Sequence, residues 1–128
     1  MSARILVIDD NPANLDLMMY LLGAFGHTAI AASDGEKGLQ IAAEQRPDLI
    51  LCDIHMPKMD GYEVVRRLKT HDGCRSIPTV AVTALAMDED KNRAIRAGFD
   101  GYLTKPMDPE RFVQDISGFI DPSRVTTQ

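Results

Sequence analysis

In the stretch LILCDIHMPKMDG, Leu49 to Gly61, four apolar residues run without alternation into an acid, Asp53, and then into a loop carrying Pro57 and Gly61. A strand with one wet face alternates apolar and polar residues; a continuous run is the pattern of a parallel strand covered by helices on both sides. A carboxylate at the mouth of such a strand needs a reason. The reason depends on what closes the other strands.

Short apolar runs of the same kind recur along the chain, at Arg4 to Asp9, His27 to Ala32, Asp48 to Asp53, Pro78 to Thr83 and Asp100 to Thr104. Helical patterns separate them. In the first, Leu15, Met18, Met19, Leu22 and Phe25 fall at helical spacing behind an Asn11-Pro12 entrance. The second opens with Ser33-x-x-Glu36, a capping-box spacing. The third, from about Gly61 to His71, is expected to bury Val64 and Leu68. The last starts at Asp108-Pro109 and carries the stripe Phe112, Ile116, Phe119 and Ile120. The fourth, Met87 to Ala97, offers mainly Met87 and Ile95 as apolar anchors and is expected to be loosely held.

Five βα units with right-handed crossovers make an α/β fold, a five-stranded parallel sheet with helices on both faces. The flavodoxin-like order 2-1-3-4-5 is the expected arrangement; its ligand crevice lies beyond the carboxyl ends of strands 1 and 3. With 128 residues, one domain, placed at 3–120, is able to bury about 68% of its unfolded surface. The polar remainder 121–128 reads as a tail or linker remnant.

Composition narrows the function. A net charge of -5 argues against broad binding to nucleic acid or anionic lipid, both of which need basic surface. No apolar run approaches the ~20 residues of a membrane span, and the N-terminus enters a strand without the basic and apolar regions of a secretory signal. The expected location is the cytoplasm. Cys52 and Cys74 are too few and too far apart for a disulfide framework or a zinc site, and Cys52 is expected to be a buried thiol. His27, His55 and His71 also lack metal-ligand spacing.

The strand ends carry the chemistry. Asp9 and Asp10 close the first strand and Asp53 the third, so the proposed order gathers three carboxylates. At ~4 Å and an effective dielectric near 20, each ionised pair repels by roughly 4 kcal/mol. Protonation or a bound cation must offset this, and an oxygen-only site with an open side suits Mg²⁺. Thr83 closes the fourth strand and Lys105-Pro106 the fifth, bringing a hydroxyl and an ammonium to the same crevice. Such a set is equipment for phosphoryl transfer, with Asp53 placed to form an acyl phosphate.

With these residues in hand, the sequence resembles the receiver domain of two-component response regulators over residues 3 to about 120. The matching pieces are VIDD at Val7 to Asp10, LCDIHMPKMDG at Leu51 to Gly61, AVTA at Ala81 to Ala84 and GYLTKP at Gly101 to Pro106. The resemblance implies that Asp53 is the phosphoacceptor and that Mg²⁺ or Mn²⁺ is held by Asp9, Asp10, Asp53 and the backbone carbonyl of His55. Lys105, Thr83 and Ala84 would stabilise the phosphoryl group, Thr83 and Tyr102 would form the switch, and the Lys105-Pro106 bond would be cis. His55 and Leu85 would lie near the water that hydrolyses the acyl phosphate. An apolar Leu85 cannot orient that water, which implies slow hydrolysis; for His55, assisting the water and contacting the kinase both stay open.

The implied function is a signalling switch that accepts phosphate from a sensor histidine kinase or a histidine phosphotransfer protein. It would then change its helix 4, strand 5 and helix 5 surface toward a downstream protein effector, with Lys91, Arg93 and Arg96 available there. No enzyme activity beyond its own phosphorylation and dephosphorylation is expected. A phosphorylation-dependent dimer is carried by no sequence feature. The main alternative, a Mg-dependent Asp-nucleophile phosphatase of the haloacid dehalogenase type, would need an acid at position 55, where this chain has His55. Nucleotide-binding glycine motifs are absent from the sequence. A stand-alone receiver and a receiver excised from a longer regulator or hybrid kinase both fit.

Overall fold

The computed structural model describes residues 2–84, 88–105 and 108–120. Leu85, Met87, Pro106 and the tail 121–128 lie outside them, and with them the expectations for a hydrolysis-tuning side chain, a helix anchor, a cis bond and a linker remnant. The elements alternate as expected: β1 (Arg4–Ile8), α1 (Pro12–Ala24), β2 (Thr28–Ala32), α2 (Gly35–Gln45), β3 (Leu49–Cys52), α3 (Gly61–Thr70), β4 (Thr79–Thr83), α4 (Asp88–Ala97), β5 (Gly101–Thr104) and α5 (Pro109–Ser117). All strand pairs are parallel, in the order β2-β1-β3-β4-β5.

Because side chains alternate across a strand, each unbroken apolar run feeds two cores. Leu6, Ile8, Ile50, Cys52 and Ala81 face α2, α3 and α4, where Ala42, Val64, Val65, Leu68 and Ala94 meet them. Ile5, Val7, Leu49, Leu51, Val80 and Val82 face α1 and α5, packing on Met18, Leu21, Leu22, Phe112 and Ile116. Each fully buried aliphatic side chain contributes about 1.5–3 kcal/mol. β1, β3 and β4 are thereby held from both sides, and their carboxyl ends become a rigid platform.

Four local expectations are corrected. Asp34, not Ser33, caps α2: its carboxylate accepts the Lys37 amide hydrogen at 2.8 Å, a charge-assisted bond to the positive helix end that serine cannot match. Phe25 does not join the core of α1; it follows the last turn and stays 49% exposed. β2 starts at Thr28: the His27 amide donates back to the Leu22 carbonyl of α1 at 3.0 Å and the Ala3 amide donates to the His27 ring at 3.1 Å, so the ladder with β1 begins one residue later, and as an edge strand β2 is only partly covered. Ile95 is 47% exposed, and of the described α4 residues only Ala94 is fully buried, with Ala97 packed partly against the same core. A helix seated by two alanine methyl groups, one of them only partly covered, gains little from burial.

α2 ends on Arg46 in the left-handed region, φ 45°. A side chain with a Cβ spends about 1 kcal/mol there that glycine does not. Arg46→Gly is therefore expected to raise the thermal midpoint by a few degrees, read by circular dichroism. An unchanged or lower midpoint would mean that the guanidinium's own contacts outweigh the strain.

Candidate functional site

The sheet's hydrogen-bond ladder runs one residue past three strand ends. The amide of Asp9 donates to the Ala32 carbonyl at 3.1 Å, that of Asp53 to Ile8 at 2.9 Å, and that of Lys105 to Thr83 at 2.8 Å. These residues are thus fixed by the sheet, while their side chains turn out beyond its edge. The position reversal between β1 and β3 opens the crevice into which they project.

Asp9 is fully buried. One of its oxygens, Oδ2, accepts from Lys105 Nζ at 2.8 Å, and the other, Oδ1, from the Asn11 amide at 2.9 Å. Lys105 Nζ also lies 3.7 Å from Asp53 Oδ2, so one ammonium bridges two carboxylates. The positive charge that the acids require is therefore supplied in part by the lysine. Asp53 Oδ1 accepts the Ile54 amide hydrogen at 2.8 Å. Burial pushes the Asp53 carboxyl above its ordinary range and Asp9 adds to this, while Lys105 and the amides of Ile54 and His55 pull it back.

Asp10 completes the group from the exposed side; carboxylate oxygens of Asp9, Asp10 and Asp53 lie within 4.8 Å of one another. Three acids and one ammonium leave two negative charges uncompensated, and every donor is oxygen. That donor set, beside an open cleft of about 480 Å³, fits a small hard divalent cation. Asp10, Asn11, Asp53, His55, Thr83, Ala84 and Lys105 line the cleft. Thr83 is buried at its floor, and His55 and Ala84 are exposed at its rim.

Tyr102 stands apart from the acids. It is half-buried on β5, packed against the α2–α4 side of the sheet, where burial first, then Asp90 and Tyr62, raise its hydroxyl's pKa. The basic residues on α4, Lys91, Arg93 and Arg96, are all exposed, and Arg93 also stacks over the Tyr62 ring, 4.2 Å from its centroid.

Two contributors escaped the sequence reading. Asn11 was expected only as a helix entrance; its side chain does cap α1, but its amide also holds Asp9 in an Asx turn. Asp9 itself, an Asx residue two positions before the helix entrance, was the available signal. Gly61 was expected only in the loop after Asp53 and as the approximate start of the third helix. Its amide donates to the Ile54 carbonyl at 2.7 Å, and a Cβ there would strike the Asp53 carbonyl oxygen and come 2.7 Å from Ile54 Cα. No periodicity marks such a contact.

Comparison with known proteins agrees with this fold. The family model described as response regulator receiver domain matches residues 5–117. The polar-differentiation response regulator DivK of Brucella anthropi is 38% identical over 120 residues, covering 94% of this chain and 98% of DivK. Among solved structures, the chemotaxis protein CheY4 of Vibrio cholerae superposes with a TM-score of 0.89 at 27% identity, over 94% of this chain and 100% of that one. The receiver domain of a Pseudomonas aeruginosa sensor histidine kinase, which has a magnesium ion coordinated in its active-site cleft, gives 0.86 at 29% identity, over 93% and 98%.

Proposed function

The chain belongs to the response regulator receiver family, and from that premise we propose that it switches by carrying a phosphoryl group on Asp53, drawn from a sensor histidine kinase or a histidine phosphotransfer protein. The carrying observation is the meeting of the Asp9, Asp10 and Asp53 oxygens within 4.8 Å, beside Lys105. The Asp53 oxygen not held by the Ile54 amide attacks phosphorus; the P–N bond of the phosphohistidine breaks and a P–O bond forms. Backbone amides fix the attacking carboxylate, and Lys105 can turn from Asp53 toward the incoming oxygens without leaving Asp9. Most of the catalysis is therefore positioning and charge neutralisation.

Mg²⁺ or Mn²⁺ would be held by Asp9, Asp10, Asp53 and the main-chain carbonyl of His55, and would supply charge neutralisation on the phosphoryl oxygens when bound. Thr83 and Ala84 line the same cleft and would meet those oxygens. Tyr102 and the α4–β5–α5 face would carry the response to a downstream protein. The sparse burial of α4 supports this part, since an element with few core contacts moves at low cost. The site of action is the cytoplasm in this reading; among the described residues no helix is long and apolar enough to cross a membrane.

The test is incubation with acetyl phosphate, or with beryllofluoride, in the presence of Mg²⁺. One equivalent is expected on the wild type and none on Asp53→Ala, by intact mass for the phosphoryl adduct and by fluorine NMR for the analogue. Continuous hydrolysis of many equivalents would instead favour the Asp-nucleophile phosphatase. A second reading, a receiver operating within a longer hybrid kinase, is favoured by the likeness to the Pseudomonas sensor-kinase domain, whereas the near-complete coverage of DivK supports a single-domain regulator. The length of the native gene product separates them.

A further inference from the structure

Away from the acidic cleft, a hollow of about 180 Å³ opens between α2 and α3, lined by Leu39, Ala43, Arg67, Leu68, His71 and Cys74. Its wall is mostly apolar, and its size is comparable with cavities of ~150 Å³ that accept a benzene ring. Positive charge gathers at its edge, in a chain that is acidic as a whole. Glu63 is shared between Arg66 and Arg67, both at 2.9 Å, so one carboxylate faces two guanidinium groups. Arg46 enters none of the ion pairs among the described residues.

The Arg46 guanidinium lies against Gly73, 3.0 Å from where a Cβ would stand. It is close enough to Cys74 to oppose the effect of burial on that thiol. Arg46 reaches this place from the left-handed backbone conformation described above, and strain held in a non-glycine residue is a pointer to function. His71 Nδ1 accepts the Gly73 amide hydrogen at 3.2 Å, which leaves Nε2 as a hydrogen-bond donor. Apolar surface, Arg67 and His71 therefore line one hollow, with the Arg46 guanidinium beside it against Gly73 and Cys74. Nothing in the phosphoryl-transfer reading uses any of them.

We propose that the hollow between α2 and α3 binds a small organic carboxylate, its compact apolar body of about benzene size seated among Leu39, Ala43 and Leu68, and its anionic group met by Arg46, Arg67 and His71. A neutral apolar molecule would fill the space but leave Arg46 without an anionic partner. An inorganic anion would match the charge but gain nothing from the apolar wall. The two contributions are jointly available only to a molecule that has both parts.

The experiment is an amide-resolved NMR titration of the full chain with benzoate as the probe, run beside benzamide and inorganic phosphate. Benzoate is expected to give saturable shifts at Leu39, Ala43, Leu68, His71 and Cys74, with benzamide weaker by about tenfold for want of the charge-assisted bonds and phosphate without effect at these residues. Arg46→Gln should weaken benzoate several-fold and Arg46→Lys much less, both being surface changes that leave the core intact. Ala43→Leu, which fills the hollow, should abolish the shifts. Equal affinity for benzamide, shifts that never saturate, shifts confined to the acidic cleft, or unchanged binding in Ala43→Leu would each overturn the proposal.

Discussion

Gly61→Ala is expected to destabilise the protein by about 3 kcal/mol, which lowers the melting temperature by on the order of 10 °C, and to weaken beryllofluoride binding more than tenfold. Most added methyl groups displace a flexible side chain. Here the obstacles are main-chain atoms: the carbonyl of Asp53 and the Cα of Ile54. The first turn of α3 sits directly on the loop that presents Asp53, tied to it by the bond from the Gly61 amide to the Ile54 carbonyl. Relieving the clash must lift α3 or move Asp53, so stability and chemistry fall together. Gly23→Ala is the internal control, since nothing lies within 4 Å of its added carbon. That change in α1 should be neutral or stabilising by up to about 1 kcal/mol. Should Gly61→Ala melt with the wild type and bind beryllofluoride equally, this contact does not position the carboxylate.

The site was legible in the sequence wherever its residues sit at strand ends, because there a single rule converts chain position into place. Unbroken runs such as Leu49 to Cys52 told of a covered parallel sheet, and the sheet order then brought Asp9, Asp53, Thr83 and Lys105 to one edge. Contacts that depend on how helices lie against one another were not legible. Arg93 over Tyr62 joins α4 to α3 across 31 residues of sequence, and no spacing predicts it. Tyr62 itself is buried with a hydroxyl that finds no partner among the described residues, a cost of about 1–3 kcal/mol invisible to any pattern of apolar residues. In α4 the helix and its loose hold were legible, but its anchor was not: with so little apolar content, the residue that it buries is Ala94 rather than Ile95, set by neighbours rather than by its own sequence. The cap of α2 was missed by one residue because Ser33 and Asp34 both suit a helix entrance, and only the geometry chooses between them.

Asp53→Asn, by contrast, should make the protein more stable. Burial and the neighbouring Asp9 push the Asp53 carboxyl above its ordinary value of 3.8, so keeping it ionised at neutral pH costs folding energy. The folded state then binds more protons than the unfolded chain between that ordinary value and the raised one. Stability due to this group therefore falls as pH rises through the window, and the full penalty stands above it. Asparagine carries no charge but keeps an oxygen for the Ile54 amide, and Lys105 retains its 2.8 Å bond to Asp9. In chelator at neutral pH the gain should be about 1–3 kcal/mol, less than the ~4 kcal/mol of an unscreened pair at 4 Å because Lys105 already offsets part of the repulsion. It should vanish in acid, below the ordinary carboxyl value. Divalent cation should close the gap from the other side: at 100 times its dissociation constant, Mg²⁺ would stabilise the wild type by about 2.7 kcal/mol, and the variant, with one carboxylate fewer, by less. Chemical denaturation at two pH values, with and without Mg²⁺, reads all three effects. A wild type more stable than Asp53→Asn in chelator at neutral pH would mean that the acids are not in conflict, and that nothing in their arrangement calls for a cation.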